Sequence, residues 1–284
     1  MMLRNKIDFA VLFTARNANP NGDPLNGNRP RENYDGLGEV SDVCIKRKIR
    51  NRLQDMGESI FVQSDDRAED GYVSLRQRAD SVDALKEAAR KKDARKYAQV
   101  ACSTWTDVRS FGQVFAFKGD NLSVGVRGPV SLHPAFSVTP VEIESLQITK
   151  SVNSETADKR ASDTMGQKHR VNFGLYVLYG SINCQLAEKT GFSEADADKI
   201  HQALCSLFEN DASSARPDGS MEVCRVLWWQ HNCASGQYPS AKVHRSLSVK
   251  PKNDNPASFD DFDIKITPLD GLACAGCPRG GGSH

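Results

Sequence analysis

The densest run of chemically capable side chains is Cys44-Ile45-Lys46-Arg47-Lys48-Ile49-Arg50-Asn51-Arg52, which holds five cations and no acid. Cations this close repel one another, and a solvated helix face normally interleaves acids at i+4. Phosphodiester oxygens would relieve the repulsion, whereas a plain exposed basic face would leave it to solvent. Upstream lies Asn17 to Gly38, dense in Asn, Gly and Pro, which reads as backbone turns and Asx-type hydrogen bonds. It is too long for a simple connection, and together with the helix start at Ser41 or Asp42 it could offer free N–H groups to an anion. It has no Walker or dinucleotide glycine spacing. A third basic segment, Lys150 to Arg170, carries Lys150, Lys159, Arg160, Lys168 and Arg170 between two expected strands. Such a hairpin could lay cations on a nucleic-acid backbone and put Met165 between bases as a wedge; the plainer reading is a mobile loop.

Other motifs are weaker. Arg109-Ser110-Phe111-Gly112-Gln113-Val114-Phe115-Ala116-Phe117 agrees with the RNA-recognition consensus at four of seven specified positions, but its stacking aromatics are incomplete and it is read as a chance match. Cys274-Ala275-Gly276-Cys277 is one thiol pair where structural zinc normally needs two, so a flexible tail carrying two thiols is favoured over a metal or redox module. The remaining cysteines sit beside apolar neighbours and read as reduced, packed thiols. The histidines are scattered, and nothing in the spacing of Asp23 and Asp107 requires a metal.

These groups must be positioned by recognisable elements. Residues 6–15 read as a buried strand, and a helix from about residue 42 to Met56 buries Ile45, Ile49 and Leu53 while turning Lys46, Lys48, Arg50 and Arg52 largely away. Ser59 to Gln63 reads as a strand. A charged insert follows from Ser64 to Gln99, helical around Leu75 to Tyr97, polar on most faces and able to stand apart from the main core. Strands are expected over 122–130, 138–152 and 171–183, then a helix from Ser193 to about Asn210, opened by a Ser193–Asp196 capping pair. The last clear strand is 221–230. The order β, α, β, β, α, β is that of the split βαβ of ferredoxin-like and RNA-recognition folds.

The chain has 284 residues with 37 Lys plus Arg against 36 Asp plus Glu. A net charge of +1 excludes a uniformly basic nucleic-acid binder but not a local patch. Residues 1–52 hold ten Lys or Arg against six Asp or Glu, a segregated +4, leaving −3 for the rest. Neither a membrane-spanning run nor a signal-peptide core is visible, so a soluble, cytoplasmic protein is expected.

Four motifs in order carry a resemblance: Asn19-Pro20-Asn21-Gly22-Asp23-Pro24, Asp42 to Arg50, Asp107 to Gly112, and Asp163 to Tyr176. Over about residues 5–230 the chain resembles the repeated backbone subunit of the type I-C CRISPR surveillance complex (Cascade), within the repeat-associated RNA-binding superfamily. The resemblance implies an α+β fold: a modified ferredoxin-like, RNA-recognition-type palm (1–63, 106–152 and 171–284), a helical finger insert (64–105) and a β-hairpin thumb (153–170). It implies a non-catalytic subunit that lines up head to tail on the CRISPR guide RNA and leaves bases free to pair with target DNA. The implied partners are further copies of itself, other Cascade subunits and a recruited helicase-nuclease, with no cofactor, metal or membrane. Carried over by position, Lys46, Arg47 and Arg50 hold phosphates beside Asn19, Asn21 and Arg29, and Met165, Lys168, His169 and Arg170 lie near a displaced base. The alternative within the same biology is a CRISPR-RNA-processing endoribonuclease using His169 with Lys168 as acid and base. The C-terminal 50 residues match no motif.

Overall fold

The computed structural model describes residues 1–117, 119, 122–149 and 165–277. The chain opens with β1 (Ile7–Ala18), a small hairpin of β2 (Gly22–Asp23) and β3 (Arg29–Pro30), β4 (Leu37–Val40) and α1 (Asp42–Asp55). Helices α2 (Leu75–Asp80), α3 (Asp83–Arg90), α4 (Ala94–Thr104) and α5 (Thr106–Phe111) follow, then β5 (Gly112–Phe115) and β6 (Val124–Arg127). Next come β7 (Val130–Leu132), β8 (Ala135–Pro140), β9 (Ile143–Thr149) and the long β10 (Met165–Ile182). The chain continues through α6 (Cys184–Thr190), α7 (Glu194–Cys205), β11 (Met221–Gln230) and α8 (Ser240–His244). It ends with the hairpin β12 (Leu247–Pro251) and β13 (Phe262–Ile266), then β14 (Cys274–Cys277).

The main sheet is antiparallel, ordered β14-β11-β1-β10-β8-β4, with β7 and β9 also on β10. β1 lies inside it and is apolar on both faces because both are covered. Phe9, Val11 and Phe13 meet Ile45, Ile49 and Leu53 of α1 and Ile200 and Leu204 of α7. Ala10 and Leu12 face the other way, into a core shared with Trp229, Val243, Leu247 and Phe262. The C-terminal stretch, silent in the sequence, is therefore the cover of the second sheet face. Ser41 caps α1 and Ser193–Asp196 form a capping box on α7, both as the sequence indicates, although α7 ends at Cys205 rather than near Asn210.

Several expectations are refined or changed. Ser59 to Gln63 is not a strand, because the N–H groups of Phe61 and Val62 donate to the Asp107 carboxylate instead of to a neighbouring strand. The insert is exposed on most faces, and its buried stripe of Ala79, Leu85, Ala88 and Tyr97 packs apart from the main core, with Phe61, Ala101, Trp105 and Phe115, in a cluster that reaches into β5 and β6. The stretch expected to be helical around Leu75 to Tyr97 is helical in three pieces, divided at Ser81–Val82 and again at Lys92, whose φ of 55° is left-handed. Finally, Cys274 to Cys277 are not a loose tail but the edge strand β14 on β11, with the Cys274 thiol pushed up by burial. No cluster of three or more metal-ligating side chains occurs among the described residues. No helix there is long and apolar enough to cross a membrane.

His244 joins the C-terminal cover to the sheet. Its ring stacks on Tyr179, meets His133 edge-on and lies 3.1 Å from the Gly180 carbonyl, with Asp8 3.9 Å away. Burial lowers its pKa, outweighing the opposing pull of Asp8 and the Gly180 carbonyl. The unfolded chain therefore binds this proton more readily, so the contribution is present above the ordinary histidine range near 6.5 and is lost as pH falls through the lower folded value. The urea midpoint is expected to drop between pH 7 and pH 5, and less steeply in His244→Gln; identical slopes would remove His244 from the account.

Candidate nucleic-acid interface

The loop after β1 is wired by its own asparagines. Asn19 is buried; its side-chain amide donates to the Asn28 carbonyl at 2.6 Å and its backbone N–H to Ala215 at 2.8 Å. Asn21 Oδ1 accepts from both the backbone N–H and the hydroxyl of Ser41, each at 2.9 Å, which ties the loop to the cap of α1. Gly22 has no room for a side chain, since a Cβ there would sit 2.0 Å from Asn28 Oδ1. Both asparagines thus shape the loop. The start of α1 is also less open to an anion than the sequence suggests: Ser41 Oγ accepts from the Cys44 N–H and Asp42 occupies the first turn.

β3 brings the loop against the ribbon formed by β9 and the start of β10. Residues 165–170 of β10 run past the end of β1 and pair with β9, His169 opposite Ser145 and Arg170 opposite Glu144. Arg29 Nη1 donates to Ser145 Oγ at 3.2 Å, and Ser145 Oγ is 2.8 Å from His169 Nδ1. Arg29 donates to one lone pair of the Ser145 hydroxyl, which pairs with His169 Nδ1 through its proton or its other lone pair according to the tautomer of the ring. A Cβ on Gly27 would lie 4.0 Å from His169 Nε2. Arg170 pairs with Glu144 at 2.6 Å, and Lys168 is exposed. Lys168 and His169 are adjacent in one strand and project to opposite faces, one exposed and one buried, so they do not assemble as an acid–base pair. Met165 stands opposite Thr149 in the ribbon. Residues 153–164 of the expected thumb, with Lys159 and Arg160, and Lys150 before it lie outside the described residues.

The basic helix differs most from its sequence reading. Lys48 is not turned away from the core: it is 3% exposed, ion-paired to Asp211, and its pKa is lowered by burial despite that partner. Arg47 donates to the Val62 carbonyl at 2.6 Å, and burial followed by the nearby Arg50 charge lowers its pKa. Arg50 Nε donates to Asp107 at 2.9 Å and its guanidinium lies over the Phe111 ring. Arg52 bonds Ser206 and Glu209, and Lys46 pairs with Asp42 one turn earlier at 2.9 Å. The mutual repulsion is therefore relieved inside the protein, by acids and carbonyls drawn largely from distant segments. Asp107, considered for a metal, has its carboxylate filled by the Phe61 and Val62 N–H groups and by Arg50. Arg109 to Phe111 belong to α5 and Gly112 to Phe115 to β5 of the separate β5–β6 pair, so the partial RNA-recognition match does not lie on the main sheet.

Sequence reasoning missed Ser145, Glu144, Asp107 and Asp211 as partners of the chosen cations. Only the ribbon pair had a signal, since a hairpin register fixes Ser145 and Glu144 once the strand ends are known.

A profile of the family described as CRISPR-associated protein Cas7 matches residues 5–267. The chain belongs to this family. A relative named CRISPR-associated protein Cas7, from Haloferax volcanii, is 26% identical over 231 residues, covering 75% of this chain and 67% of the relative. Among solved structures, a chain of a CRISPR RNA-guided surveillance complex, pre-nicking, aligns at 19% identity and TM-score 0.49 over 83% of this chain and 81% of its own. A second, from a CRISPR RNA-guided surveillance complex, aligns at 17% and 0.43 over 79% and 68%.

The ion pairs separate structural cations from surface ones. Arg50→Ala leaves Asp107 buried without its cation and is expected to cost about 3–5 kcal/mol, whereas Lys46→Ala should cost about 1 kcal/mol or less. Urea unfolding of the two variants checks this, and equal midpoints would contradict it.

Proposed function

We propose that this Cas7 family member is the repeated, non-catalytic RNA-binding subunit of a type I-C surveillance complex, gripping the sugar-phosphate backbone of the CRISPR guide RNA. The family match over residues 5–267 carries the reading. The strand order β11-β1-β10-β8, with α1 after β1 and α7 before β11, supports a ferredoxin-like palm; the separate core around Phe61 and Trp105 supports a finger, and the β9–β10 ribbon the base of a thumb. A subunit that accepts any guide must leave Watson–Crick edges alone, so its contacts go to phosphate and sugar.

In this reading the RNA runs past the junction of loop and ribbon. Arg29 and Lys168 supply charge, His169 brings its ring against the loop, and Arg170, set by Glu144, lines the same ribbon. Lys46 adds charge from α1. Asn19 and Asn21 act by shaping the loop, and Arg47 and Arg50 by holding α1 against the finger. Met165, the first residue of β10, is the candidate wedge. Copies stacking head to tail would present guide bases to target DNA, other subunits would close the ends, and cleavage would fall to a recruited helicase-nuclease.

Titrating the protein onto guide RNAs of increasing length tests this. The number of copies bound is expected to rise with length. Arg29→Ala and Lys168→Ala should weaken binding, each flattening the log–log salt dependence by about 0.7 per lost phosphate contact, with urea midpoints unchanged. Unchanged salt slopes would sink the assignment. Specific cleavage of a precursor repeat, lost in His169→Ala, would replace it with the endoribonuclease reading.

A further inference from the structure

Two exposed features far apart in the sequence have complementary chemistry. The first is the turn between β3 and β4. Asn33 Oδ1 accepts from the N–H groups of Asp35 and Leu37 at 3.0 and 2.9 Å, the Gly36 N–H donates to the Asn33 carbonyl at 3.1 Å, and the Gly36 carbonyl accepts from Val141. This five-residue turn is fixed, yet it holds Tyr34 at its tip with 110% exposure, flanked by the exposed acids Glu32 and Asp35. A full aromatic ring on an ordered turn, in water on all sides, has paid its ordering cost before any partner arrives.

The second is a hollow of about 320 Å³ on the finger, lined by Tyr97, Phe115, Phe117 and Leu122 and by the exposed Arg90 and Lys92. The α3–α4 turn beside it carries Arg90, Lys91, Lys92, Arg95 and Lys96 against the single acid Asp93, and all five cations are exposed. Apolar walls with a cationic rim suit an aromatic side chain carried on an acidic loop, through ring burial and cation–π contact.

We propose that the Tyr34 turn of one copy docks in this finger hollow of the next copy. The inference rests on the repeated-subunit reading and supplies its contact. Asp35 beside Tyr34, with Glu32 shared with Arg29 at 4.0 Å, suits the tip to a basic protein partner. The two patches are different surfaces of one chain, so the contact is heterologous and propagates as a row of copies instead of closing as a pair. A Tyr in a rimmed pocket is the usual kind of interface anchor.

The test uses the full chain on an RNA long enough for several copies, with bound copies counted by mass photometry. Tyr34→Ala removes the tip, and Arg90→Glu with Lys92→Glu blocks the hollow through exposed residues outside the finger core. Each variant alone is expected to keep single-copy RNA binding but lose copy-to-copy affinity by about thirtyfold or more. An equimolar mixture has one intact tip and one intact hollow, so it should stop at pairs. Either variant filling the RNA as wild type does would overturn the contact. Loss of single-copy RNA affinity in the hollow variant would also overturn it, by making the hollow a nucleic-acid site. Wild type binding one copy whatever the RNA length would instead sink the repeated-subunit reading and this contact with it.

Discussion

The carboxylate of Asp107 is fully buried and joins three pieces of chain that share no sequence neighbourhood. It accepts from the backbone of Phe61 and Val62, where the chain enters the finger, and from Arg50 in the middle of α1, while its own helix α5 leaves the finger. A buried carboxylate is tolerable only when its oxygens are filled and its charge is balanced, so these contacts come as a set. They fix the finger at its root against the helix that covers the sheet. Through Ser41 and Asn21 the same helix fixes the loop that carries Arg29. The loop after β1 and the α2–α5 segment are thus both referred to α1.

That arrangement changes what the charge of α1 means. Its cations are spent largely within the protein: Lys48 on Asp211, Arg50 on Asp107, Arg52 on Glu209 and Arg47 on a carbonyl. Positive charge open to a partner is found instead on Lys168 of the ribbon and on the 90–96 turn of the finger. A linear tally puts the surplus in the first fifth of the chain; the fold hides much of that surplus and exposes another.

The sheet has two covered faces, and this explains both the uniformly apolar β1 and the role of the C-terminal region. A sheet with one solvated face would show alternation, whereas β1 keeps Phe9 and Phe13 on one side and Ala10 and Leu12 on the other. The second cover brings Trp229 and His244 into the interior and turns the two-cysteine segment into an edge strand.

The sequence alone determined whatever depends on near neighbours. The stripe of Ile45, Ile49 and Leu53, the caps at Ser41 and Ser193, and the strands around Phe9 and Val226 rest on periodicity and local hydrogen bonding, which act within a few residues. The motifs that carry the family resemblance were legible in the same way. Tertiary structure decided which polar groups are already satisfied. Asp107 and Asp211 reach α1 from 57 and 163 residues away, and Ser145 meets Arg29 across 116. Ile60-Phe61-Val62 has the composition of a strand, and only the presence of a carboxylate beside it sends its N–H groups elsewhere. Burial and charge pairing depend on distance in space, which a linear pattern does not encode, and so the difference between a cation already paired within the fold and one open to solvent became visible only in three dimensions.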